Sequence, residues 1–117
     1  MSRDLSFWKN KTSYSDSHAC VYARLSDGEF LDYLEEIPME KIIHDFDVEF
    51  SSWKSKDEGY FEKGDEAFEL MITNQFVRVD CYSVSEYNMN KIIDIMLKYG
   101  CPLYDSAINV RFDENNN

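Results

Sequence analysis

The chain has 117 residues, with 12 Lys and Arg against 23 Asp and Glu for a formal net charge of −11, and 15% of its residues are aromatic. That length supports one core rather than two, and the aromatic content excludes an acidic disordered chain, which has too few such side chains to bury. The charge excludes nucleic acid and anionic membrane as partners and favours a basic protein.

Residues 1–117 thus read as a single domain, flanked by a polar arm over 1–18 and a polar tail over 113–117. The first ten residues mix Arg3, Asp4 and Lys9 with Phe7 and Trp8 and contain no apolar run of signal-peptide length. No stretch reaches the ~18 apolar residues that cross a bilayer, so a cytoplasmic location is expected. The arm holds Phe7, Trp8 and Tyr14 without a clear period. Residues 19–25, Ala-Cys-Val-Tyr-Ala-Arg-Leu, suggest a first strand. Ser26 with Glu29 has capping-box spacing, and Phe30, Leu31, Leu34 and Ile37 fall at helical intervals, which predicts a helix ending at Pro38. A short turn with Met39, Ile42 and Ile43 follows, then alternation over 47–53 predicts a second strand.

Residues 54–65 contain two glycines among charged residues and read as a long exposed loop carrying Tyr60 and Phe61. Strands over 66–73 and 76–83 form a hairpin turning at Asn74, with Val77, Val79 and Cys81 on its buried face. Ser83 and Glu86 open a last helix through Met89, Ile92, Ile93, Met96 and Leu97, stopped by Gly100 and Pro102. A short strand over 108–112 closes the fold. This order predicts an α+β fold, a mainly antiparallel sheet of four to five strands with two helices on one face, in the ferredoxin-like split βαβ pattern or a variant.

No motif for catalysis, cofactor or metal emerges. His18 with Cys20 lacks the spacing of a zinc site, and the three cysteines, Cys20, Cys81 and Cys101, read as buried free thiols. Cys101 at a helix C-terminus faces the negative end of the dipole, which opposes thiolate formation. His44 has a carboxylate neighbour but no serine or cysteine of elbow type, so it reads as a charge partner. The series Asp45, Asp47, Glu49 lacks the glycine turn of a calcium loop. Glycine-rich phosphate motifs are absent.

What remains is acid. Over residues 27–49 nine acidic residues accompany one base, Lys41, whereas 76–98 is neutral, with Arg78, Lys91 and Lys98 against Asp80, Glu86 and Asp94. Aromatic side chains amid carboxylates suit a basic protein partner, so Asp32, Tyr33, Glu35, Glu36, Asp45, Asp47, Glu49, Tyr60 and Phe61 are the candidate contact residues. Size, acidity, element order and the segment Tyr99-Gly100-Cys101-Pro102-Leu103-Tyr104-Asp105 after an Ile-rich helix make the chain resemble the small immunity proteins of bacterial toxin and immunity pairs, including those of contact-dependent inhibition. The resemblance implies a non-catalytic protein that neutralises a cognate toxin, such as a nuclease with a positive cleft. The alternative is a ferredoxin-like ligand-binding or regulatory domain acting as a homodimer through an apolar sheet face at Phe68, Leu70 and Ile72.

Overall fold

A computed structural model describes residues 2–11, 17–55 and 57–112. The chain folds as strand β1 (Ser2–Phe7), helix α1 (His18–Ser26), helix α2 (Met39–Glu49), strands β2 (Lys54–Ser55), β3 (Tyr60–Lys63), β4 (Glu66–Ile72) and β5 (Val77–Tyr82), helix α3 (Glu86–Lys98), and strands β6 (Leu103–Asp105) and β7 (Val110–Arg111). The α+β class is as expected, but the described residues form a seven-stranded antiparallel sheet, order β2-β3-β4-β5-β1-β6-β7, with three helices.

Side-chain alternation assigns the two faces. The cross-strand rows Phe61–Phe68–Cys81, Leu70–Val79–Leu5 and Ile72–Val77–Phe7 lie on one face. There they form the main core with Ile42, Phe46 and Phe50 of the α2 segment and Ile92, Ile95 and Met96 of α3. The opposite face carries a second cluster, in which Val21 and Leu25 of α1 meet Trp8, Leu31, Leu34, Phe76 and Tyr104. Thus α2 and α3 share a face, and α1 lies across the sheet from them.

Several expectations are overturned, each for a local reason. The arm contains β1, a central strand, because Leu5 and Phe7 alternate with Asp4 and Ser6 and fill the core. Residues 19–25 are helical: Ser17 Oγ accepts from the Cys20 N–H at 3.1 Å, and Val21 and Leu25, four apart, bury one stripe. The predicted helix over 26–37 does not form. Gly28, at φ +85°, ends α1 instead, with Gly28 N–H bonding Leu25 C=O at 3.0 Å and Glu29 N–H bonding Arg24 C=O at 3.1 Å. These two bonds are a Schellman stop.

The 47–53 strand is also overturned, because Ile42, Phe46 and Phe50 recur every fourth residue and carry α2 through Glu49. The 54–65 loop is β2, a turn at Gly59 and β3, with Phe61 stacked on Phe68 at 4.9 Å. Phe68 is buried in the core, and Leu70 and Ile72 on the same face pack partly buried against it.

The hairpin of β4 and β5 and the last helix stand where the sequence places them. The cap of α3 shifts by two residues, however: Ser85 Oγ accepts from Asn88 N–H at 3.2 Å, while Ser83 takes φ +58°. The closing strand shortens to β7, and β6 was not foreseen. The tail over 113–117 lies outside the described residues.

Candidate functional site

The acidic residues of α2 divide into two groups by helical angle. Asp45 and Glu49, one turn apart, face α3. Asp45 accepts from Lys98 Nζ at 2.8 Å and from the Tyr99 hydroxyl, and Glu49 Oε2 stands 3.7 Å from Lys91 Nζ. The Lys98 bond, then the Tyr99 bond, holds the Asp45 carboxyl below its ordinary value, with His44 adding a smaller pull. The same contact with Asp45 pushes both Lys98 and the Tyr99 hydroxyl up. These two carboxylates are therefore interhelix struts. Within the neutral 76–98 segment, Lys91 and Lys98 are the cations that α2 faces.

Asp47 is exposed and points the other way, over β3 and β4. There a cleft of about 420 Å³ is lined by Ile43 and Asp47 of α2, Ser55, Glu58, Gly59, Phe61, Leu70 and Ile72. Its apolar walls come from Ile43, Phe61, Leu70 and Ile72, and its two carboxylates from Asp47 and Glu58. Gly59 fixes one wall: it takes φ +83°, its C=O accepts from Leu70 N–H at 2.7 Å, and a Cβ there would stand 2.7 Å from Leu70 O. Ser55 is engaged locally, its Oγ donating to Asp57 C=O at 3.3 Å. The arrangement suits a long aliphatic stem ending in a cation, with methylenes against the leucine and isoleucines and the charge between the acids.

The other candidates disperse. Asp32, Tyr33, Glu35 and Glu36 lie in the irregular segment 27–38 rather than on a helix. Tyr33 packs partly buried on the second cluster, Asp32 and Glu36 are exposed, and Glu35 N–H is bound to Lys9 C=O at 2.8 Å. Phe61 is 5% exposed and is a core residue, not an anchor in solvent. Tyr60, its neighbour, falls on the opposite sheet face beside Glu69. Of the predicted contacts, only Asp47 and Phe61 meet at the cleft. Glu58 was missed, although its place directly before Gly59 marks a turn.

His18 packs its ring edge-on against Trp8 and Tyr104, at centroid distances of 6.4 and 6.0 Å. Cys20 is exposed, contrary to expectation, whereas Cys81 and Cys101 are buried. Burial pushes the Cys81 thiol up to about 12 and the Cys101 thiol up to about 11, so desolvation rather than the helix dipole sets Cys101.

No helix among the described residues is long and apolar enough to cross a membrane. Comparison with protein-family models, with curated proteins and with solved structures found no match in any of the three.

Proposed function

We propose that the chain is a non-catalytic acidic binding protein that neutralises a basic partner, acting in the bacterial cytoplasm as the immunity protein of a cognate toxin. The observation that carries this reading is the cleft between α2 and the β3–β4 strands, where Asp47 and Glu58 flank walls of Ile43, Leu70 and Ile72. A nuclease toxin holds its phosphate backbone with Lys and Arg, and an acid-lined cleft accepts such a side chain in place of the phosphate. The net charge of −11 speeds the encounter by steering, and it opposes binding to nucleic acid or an anionic membrane. For the fold, a ferredoxin-like core is the finer reading: β4-β5-β1-β6 is the strand order of a split βαβ repeat, with α2 and α3 as its two helices. The strands β2, β3 and β7 and helix α1 are then additions.

The test is protection. The basic product of a neighbouring gene is expressed with and without this chain, and growth is recovered only when the chain is present. Reversing both cleft charges with Asp47→Arg and Glu58→Arg is expected to weaken the complex by at least about 30-fold and to abolish protection. Unchanged affinity after that reversal, or no protection by the natural chain, overturns the proposal.

A further inference from the structure

The sheet face opposite α2 and α3 is only partly covered. Helix α1 sits over its β1–β6 side, tied down at Asp4, which accepts from the Tyr22 hydroxyl and, at 2.8 Å, from Ser106 Oγ. The remainder presents Tyr60 on β3, Glu69 on β4 and Asp80 on β5, each in register with the next, and the row ends at Asp4 on β1, opposite Asp80 and held by α1. Three carboxylates thus lie directly opposite one another on adjacent strands, an arrangement that destabilises the free sheet. Arg78 serves the row: its Nε stands 2.9 Å from Asp80 and 3.8 Å from Asp4. None of the ion pairs formed among the described residues reaches Glu69.

Apolar surface flanks this row. Tyr82 is 41% exposed and Met71 37%, and a depression of about 200 Å³ opens among Arg3, Asp4, Arg78, Asp80 and Tyr82. The Tyr82 hydroxyl is raised by desolvation first and then by Asp80, Glu69 and Tyr60, which brings the field of the row onto this ring.

We propose that this open face is a second docking surface, separate from the cleft, for a protein segment with basic residues about one helical turn apart. Charge selects the occupant. A second copy would bring the same carboxylates, and nucleic acid or an anionic membrane is repelled. A metal ion is not served either, since among the described residues no three His, Cys, Asp or Glu side chains converge. Neighbouring strands are ~4.8 Å apart and a helical turn rises ~5.4 Å, so Arg or Lys about one turn apart on a helix lying across β4 and β5, beside α1, matches the spacing of Glu69 and Asp80. Tyr82 and Met71 cover the stems of those cations.

The probe is an alanine-based helical peptide with arginine at every fourth position, compared with the same peptide carrying glutamine instead. Amide shifts in a titration followed by NMR are expected at Tyr60, Glu69, Asp80 and Tyr82 with the arginine peptide alone. Glu69→Gln is expected to raise the thermal midpoint by about 2 °C, because it removes a like-charge contact, yet to weaken peptide binding about threefold. Tyr82→Ala is expected to weaken it by a similar factor. Shifts confined to Asp47, Glu58 and Leu70 overturn the second surface and leave the cleft proposal standing. A Glu69→Gln variant that binds as well as the natural chain overturns it too.

Discussion

The amide of Gln75 serves three backbone groups of the stretch between α1 and α2. Its Oε1 accepts from Leu31 N–H at 2.8 Å, and its Nε2 donates to Leu31 C=O at 2.7 Å and Leu34 C=O at 3.2 Å. Because Gln75 is buried, these bonds stand in for the intrahelical ones that segment lacks. Gln75→Leu keeps the volume and leaves those backbone groups without that partner, so the expected loss of stability is about 2–3 kcal/mol, read from the urea midpoint. A variant within about 0.5 kcal/mol of the natural chain contradicts this role. The cysteines give a second test at this scale. In native buffer near neutral pH, a maleimide is expected to label Cys20 quickly and to reach Cys81 and Cys101 only on unfolding, since those two are buried and their thiols are raised to about 12 and about 11. Equal rates at all three positions contradict the burial.

At the scale of elements, Ser26-Asp27-Gly28-Glu29 fits two opposite signals, the start of a helix by capping box and the end of one by a left-handed glycine. Glycine decides, because at φ +85° it closes α1 at little cost, while Leu31 and Leu34 still reach the core without a helix. Gly28→Ala meets no neighbouring atom and should cost about 1 kcal/mol from conformation alone. Gly59→Ala adds a clash with the Leu70 carbonyl and should cost about 3 kcal/mol, so comparing the two thermal midpoints separates conformation from collision. The same contrast explains what was legible. The β4–β5 hairpin and α3 could be read because their periods agree with their flanking turns. The segments 19–25 and 47–53 misled because Val21–Leu25 and Ile42–Phe46–Phe50 repeat every four residues beneath a superficial β composition. The expected order of elements does not stand on the residues read for it: Ser2–Phe7 is the first strand, and two helices, α1 and α2, follow it before the strands β2–β5. Asp47 could be picked from charge alone. Its partner Glu58 could not, because the cleft exists only after β3 folds back onto β4.

The whole molecule carries −11 within a radius of gyration of 13.8 Å, so its charges feel one another when the screening length is ~30 Å at 0.01 M salt and much less at ~8 Å near 0.15 M. Two carboxylates act against this repulsion. Asp45 is lowered by Lys98 and Tyr99, and Glu66 is lowered first by the Ser85 N–H at the start of α3 and then by Asn88. A carboxyl lowered on folding contributes stability above its unfolded value, 3.8 for Asp45 and 4.5 for Glu66, and loses it as pH falls through the folded value. Stability is therefore expected to hold from pH 8 to about 5 and to fall below about 4 as Asp45 and Glu66 lose their charge. Thermal midpoints between pH 3 and 8 test this, with Asp45→Asn and Glu66→Gln each flattening the acid limb. At pH 7 the midpoint should climb between 0.01 and 0.15 M salt, because repulsion among many exposed carboxylates outweighs a few surface ion pairs. A midpoint that drops with salt instead would place the balance with those pairs, and the excess acid would then carry no folding cost for a basic partner to relieve.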